Sequence, residues 1–111
     1  MAAERVAVLY EGSLLAEGVR SLLDRIAGLH TTAIAAGTDD AAERLAALAP
    51  TVVIVDLADE AFRSRTAFDL LEPIRDVRLL CLHGGDHVDV YRKRRVELGG
   101  SRDLAAAIRA P

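Results

Sequence analysis

Thr51-Val52-Val53-Ile54-Val55 is an unbroken β-branched run ending at Asp56. A strand with one face in water alternates apolar and polar residues, whereas a continuous apolar run is buried on both faces. Burial on both faces requires layers above and below the sheet, which crossover helices between parallel strands provide. The run therefore predicts the central strand of an open α/β sheet, and the preceding segments fit that plan. Arg5-Val6-Ala7-Val8-Leu9 reads as a strand leading into the loop Tyr10-Glu11-Gly12-Ser13, with Ser13 as a helix cap. Residues 14–26 place Leu15, Val19, Leu22, Leu23 and Ile26 at helical spacing, with Glu17, Arg20, Asp24 and Arg25 mostly outward and Gly28 as the stop. A second strand is expected over 30–36, closed by Gly37, then a helix capped by Thr38 or Asp39 that runs to Leu48 and ends before Pro50. After Asp56 come a polar loop with Asp59, Glu60, Arg63 and Ser64, a helix over 66–75 that includes Pro73, and a fourth strand over 77–82.

The last third breaks this rhythm. Between His83 and a strand expected over 88–98 there are too few residues for a crossover helix, and Gly84-Gly85-Asp86-His87 has the composition of a hairpin loop. The fifth strand is therefore expected to run antiparallel at a sheet edge, where Arg92, Lys93, Arg94 and Arg95 discourage indiscriminate pairing. Gly99-Gly100 then leads to Ser101, read as the cap of a closing helix over 102–110. The chain, 1–111, is expected to form a single domain, with the crossover helix between strands four and five missing or shortened.

Composition narrows the function classes. A net charge of −3 and a pI near 5.5 do not give the basic footprint of a module that grips nucleic acid through phosphates. With two Tyr, two Phe and no Trp there is little for stacking on bases or sugars. No signal-like N-terminus or long apolar span appears, and the single Cys81 lies in an apolar run, so a soluble cytoplasmic protein with a core thiol is expected. Thirteen arginines accompany one lysine, which leaves Lys93 as the sole residue for lysine-dependent chemistry.

In open α/β sheets, function gathers at the carboxyl ends of the strands. Here those ends present Tyr10-Glu11, Asp56 and His83. Glu11 and Asp56 are weak candidates for Mg²⁺ ligands. His83, Asp86 and His87, with Asp89 nearby, offer Zn²⁺ or Ni²⁺ ligand types, but a hairpin loop recruits the same residues, so no metal site is expected. Ser13, Ser64 and Ser101 have no recognisable His and acid partners, and no Gly-rich phosphate loop follows the first strand, so no enzyme is expected.

The opening segment from Arg5 through Glu17-Gly18-Val19-Arg20 to Leu23, and Ala49-Pro50-Thr51-Val52-Val53-Ile54-Val55-Asp56-Leu57, resemble the first strand and helix and the third strand of response-regulator receiver domains of the NarL/LuxR type. The resemblance covers the first three quarters of the chain. It implies a flavodoxin-like (CheY-like) sandwich of about five strands, with Asp56 at the phosphoacceptor position. It also exposes departures. Tyr10 and Glu11 stand where the family has its Mg²⁺-binding acid pair, and His83 replaces the switch hydroxyl. The lysine after the fifth strand has no clear counterpart, because Leu98-Gly99-Gly100-Ser101 occupies that stretch and Lys93 lies earlier.

The chain is thus expected to be a degenerate receiver-like module of transcriptional regulation, working by protein–protein contact or homodimerisation without phosphorylation. Its interface would be rebuilt from Val88, Val90, Arg92, Arg94, Val96, Leu98, Leu104 and Ile108. DNA contact would belong to a separate output domain beyond Pro111, and no membrane is involved. No cofactor is expected, save Mg²⁺ if phosphorylation is retained. Two alternatives stay open: a genuine phosphoacceptor using Asp56 with weak Mg²⁺ binding, and a small-molecule or metal sensor with a pocket at Tyr10, Asp56 and His83.

Overall fold

The computed structural model describes residues 4–10, 14–56, 66–82 and 87–109. Five strands, β1 (Glu4–Tyr10), β2 (Leu29–Ala35), β3 (Val52–Asp56), β4 (Asp76–Leu82) and β5 (Val88–Arg94), form one mixed sheet in the order β2-β1-β3-β4-β5. The first four are mutually parallel and β5 runs antiparallel to β4 at the edge. Four helices accompany them: α1 (Leu14–Leu23), α2 (Ala41–Leu48), α3 (Thr66–Leu71) and α4 (Ser101–Arg109). The result is an α/β fold, as the doubly buried third strand requires.

The β3 side chains feed two separate cores. Val53 and Val55 join Ala7, Leu9, Ile34, Leu45, Val77, Leu79 and Cys81 on the face covered by α2 and α3. Val52 and Ile54 join Val6 and Val8 on the opposite face, where Val19 and Leu23 of α1 pack. Successive side chains point to opposite faces of a strand, so a run of four apolar residues is what both layers need.

Several element ends differ from the sequence expectation, each for a local reason. Helix α1 stops at Leu23, and the turn that follows, bonded from the Arg25 and Ile26 amides to the carbonyls of Leu22 and Leu23, carries Ile26 out to solvent. Leu22 is 65% exposed because the helix rests on the sheet through Val19 and Leu23 and no described helix covers its flank. Neither Thr38 nor Asp39 caps α2; Asp40 holds that position without a side-chain bond, while the Thr38 hydroxyl donates to the Ala35 carbonyl. At the other end Ala49 adopts the left-handed conformation, φ 47°, a place more often given to glycine. Helix α3 ends at Leu71 rather than continuing to Arg75, since Pro73 lacks an N–H and disfavours helical backbone in Glu72. Strand β5 ends at Arg94 because β4, its only described neighbour in the sheet, begins at Asp76 opposite it. Ser101 is the first residue of α4 rather than its cap, and Asp103 in the first turn accepts the Gly99 N–H through Oδ2 at 2.6 Å.

Lys93 and Arg95 close the end of α3. The three ammonium protons of Lys93 match three carbonyl acceptors, Leu71 at 2.6 Å, Glu72 at 2.9 Å and Ile74 at 2.6 Å. Arg95 donates to the Glu72 carbonyl and pairs with the Glu72 carboxylate at 3.2 Å. A helix end leaves its last carbonyls without intrahelical partners, and a cation there also opposes the helix dipole. Replacing the ammonium in Lys93→Met is expected to lower stability by roughly 2–3 kcal/mol, the scale of hydrogen bonds to a charged group, read as a reduced urea midpoint. Cys81 is buried in the α2/α3-side core, and burial, reinforced by the negative charge of Asp89, raises its thiol pKa. A raised pKa leaves less thiolate at a given pH. Native Cys81 is therefore expected to resist a thiol reagent at neutral pH and to react fully only in denaturant.

Candidate functional site

The four parallel strands bring their carboxyl ends to one edge of the sheet. Tyr10 closes β1 and Asp56 closes β3, each one residue past the paired Leu9 and Val55, so the two positions sit side by side on neighbouring strands. Tyr10 is partly buried and packs against the α1-side core. Asp56 pairs through its backbone with Leu82, the last residue of β4. Tyr10 and Asp56 thus share the edge at which sequence reasoning placed a site. Glu11, His83 and Asp86 lie outside the described residues, as do Ser13 and Ser64. His87 is exposed just before β5. Among the described residues no group of three or more His, Cys, Asp or Glu is arranged to hold a metal ion.

The lysine is at the other end of the sheet. Lys93 is paired with Val77 near the start of β4, whereas Asp56 is paired with Leu82 at its finish. Five residue steps along a strand amount to about 17 Å. This separation follows from the direction of β5: in an antiparallel strand, later residues lie nearer the amino ends of the parallel strands. With its ammonium bonded to three carbonyls of the α3 terminus, Lys93 has a structural assignment that the sequence did not disclose. The signal available was alternation, which sends Lys93 and Arg95 to one face and Arg92 and Arg94 to the other.

The second face of β5 is apolar at one end and charged at the other. Val88 lies opposite Leu82 and Val90 opposite Leu80, on the side where α1 packs, and Arg92 and Arg94 continue the row opposite Arg78 and Asp76. Arg78 bonds Glu4 at 2.6 Å. Glu4, Asp76, Arg78 and Arg92 also line an open depression of about 340 Å³, at the end of the sheet away from Asp56, with charges of both signs. The expected interface residues are on the surface: Val90 is 60% exposed, and Val88, Arg92, Arg94, Val96 and Leu98 are exposed as well. Helix α4 has no buried residue, and Leu104 and Ile108, one turn apart, are exposed, Ile108 to 76%. Tyr91, on the opposite face of β5, was missed as a surface residue; an aromatic in the middle of an edge strand is the signal that marks it.

No described helix is long and apolar enough to cross a membrane. Comparisons of the chain with family models, with curated proteins and with solved structures returned no match.

Proposed function

We propose that the chain is an atypical, CheY-like receiver module that works in the cytoplasm by protein–protein contact, without phosphorylation, as part of transcriptional regulation. The observation that carries this reading is the place of Lys93. A phosphoryl group on Asp56 needs cations to neutralise it, and the only lysine in the chain is about 17 Å further along the sheet, bonded to the end of α3. Tyr10, in place of an acid at the end of β1, takes away one ligand of the Mg²⁺ that would otherwise assist. Among the described residues, Tyr10 is the neighbour of Asp56 on the adjoining strand and Lys93 lies at the other end of the sheet.

The contact surface is the strip Val88, Val90, Arg92 and Arg94 on β5, followed by Val96 and Leu98 and by Leu104 and Ile108 on α4. Exposed apolar residues gathered on a surface mark interaction sites, and Val88 and Val90 project from the α1 side of β5, which no described crossover helix covers. The transcriptional setting rests on the family resemblance, with DNA contact made by a separate output domain.

Incubation with a small phosphodonor and Mg²⁺, followed by intact-mass measurement of wild type and Asp56→Asn, tests the reading. The expected result is the same unmodified mass for both proteins. An adduct of about 80 Da, the mass of a phosphoryl group, on wild type alone would identify a working phosphoacceptor and overturn the reading.

A further inference from the structure

We propose that β5 is a self-pairing edge: two copies of this chain join β5 to β5 in antiparallel register, with the twofold axis at Tyr91, to make one continuous sheet. The inference rests on the reading of the chain as a contact module and names the occupant of its surface as a second copy.

The Arg95 N–H donates to the Arg75 carbonyl at 2.9 Å. In an antiparallel pair, hydrogen-bonded positions alternate with non-bonded ones. Lys93, Tyr91 and Asp89 therefore turn their main-chain groups toward β4, and Val88, Val90, Arg92 and Arg94 turn theirs outward. β5 is the last strand in the sheet order, and no described strand receives those groups. The strand is seven residues long, with no proline to blunt it.

Charge then selects the partner and the register. The amino half of β5 carries Asp89, and the carboxyl half carries Arg92, Lys93 and Arg94. Parallel pairing with a second copy would set cation against cation. Antiparallel pairing centred on Tyr91 sets Asp89 opposite the second copy's Lys93, Val90 opposite its Arg92 and Val88 opposite its Arg94, and it engages all four outward-facing residues. Centring on Arg92 would oppose two arginines, and centring on Val90 would carry Arg94 past the start of the second copy's β5 and leave its outward main-chain groups unpaired. Like charges directly opposite destabilise a strand pair, and because the Lys93 ammonium is already shared among three carbonyls, the Tyr91 register gains by keeping the cations apart rather than by a new ion pair. The Tyr91 register also places two Tyr91 rings, each 55% exposed in the single chain, beside one another on the axis. A twofold interface needs a self-complementary surface, which this register supplies.

Cross-linking reads the register directly. At a non-hydrogen-bonded antiparallel pair the Cα atoms are about 4.5 Å apart, within the range a disulfide spans. Under mild oxidation Tyr91→Cys is expected to form a covalent dimer roughly tenfold or more faster than Val88→Cys, whose two copies would lie about 20 Å apart. Cys81, 4% exposed, stays as a buried internal control. Sedimentation at high micromolar concentration is expected to show a dimer for wild type and for Asp56→Asn. Arg92→Pro, which removes an outward N–H and no bond to β4, is expected to be a monomer with an unchanged far-ultraviolet circular dichroism spectrum. A monomeric wild type, or equal cross-linking of the two cysteine variants, overturns the pairing, including the case in which another protein's strand occupies the edge. If the Tyr91-centred dimer appears only after phosphodonor and Mg²⁺, the phosphorylation-independent reading fails and the pairing stands. A monomer with no phosphoryl adduct defeats the pairing alone.

Discussion

The five residues between Leu82 and Val88 constrain the rest of the structure. A return to the same end of the sheet needs a crossover of roughly ten to twelve residues or more, so the chain has to turn back and lay β5 antiparallel against β4. From that reversal the other departures follow. The carboxyl end of β5 arrives beside the amino end of β4, which carries Lys93 and Arg95 to the terminus of α3. No described helix covers Val88 and Val90, and α4 starts from the opposite end of the sheet from the one a parallel fifth strand would have offered.

The short connection between β4 and β5 also accounts for the division of labour along the basic segment Arg92-Lys93-Arg94-Arg95. A flexible basic tail would present all four charges to a partner together. A strand alternates them, so Lys93 and Arg95 are used internally on the α3 side while Arg92 and Arg94 remain on the surface. The internal pair holds down a helix of only six residues, too short to be stable by its own backbone bonds. Lys93 is thus part of the architecture, and Arg92 and Arg94 are the cations left on the surface.

Much of this was legible in the residues. The β-branched run Thr51–Val55, the strands around it and the reversal before β5 all follow from periodicity and connection length, which act over a few residues. The positions of Tyr10 and Asp56 were legible for the same reason, because a strand's carboxyl end is a local property. The assignment of Lys93 was not. It depends on where α3 stops: the helix expected from the sequence runs to Arg75 despite Pro73, whereas α3 ends at Leu71 and exposes the carbonyls that the ammonium then finds. Leu22 and Ile26 were misplaced by a related assumption, that every apolar position on an amphipathic stripe meets a neighbour.

The sequence by itself determined the fold class, the order of the elements and the direction of the last strand. Each is set by local chain geometry and by the number of residues available to connect one element to the next. Only the tertiary structure decided which cation meets which carbonyl, which end of the sheet holds the lysine and which apolar residues are left without cover. Those outcomes depend on the register of β5 against β4 and on the approach of α3, and neither quantity is encoded within any one segment. Packing between segments distant in sequence selects them together.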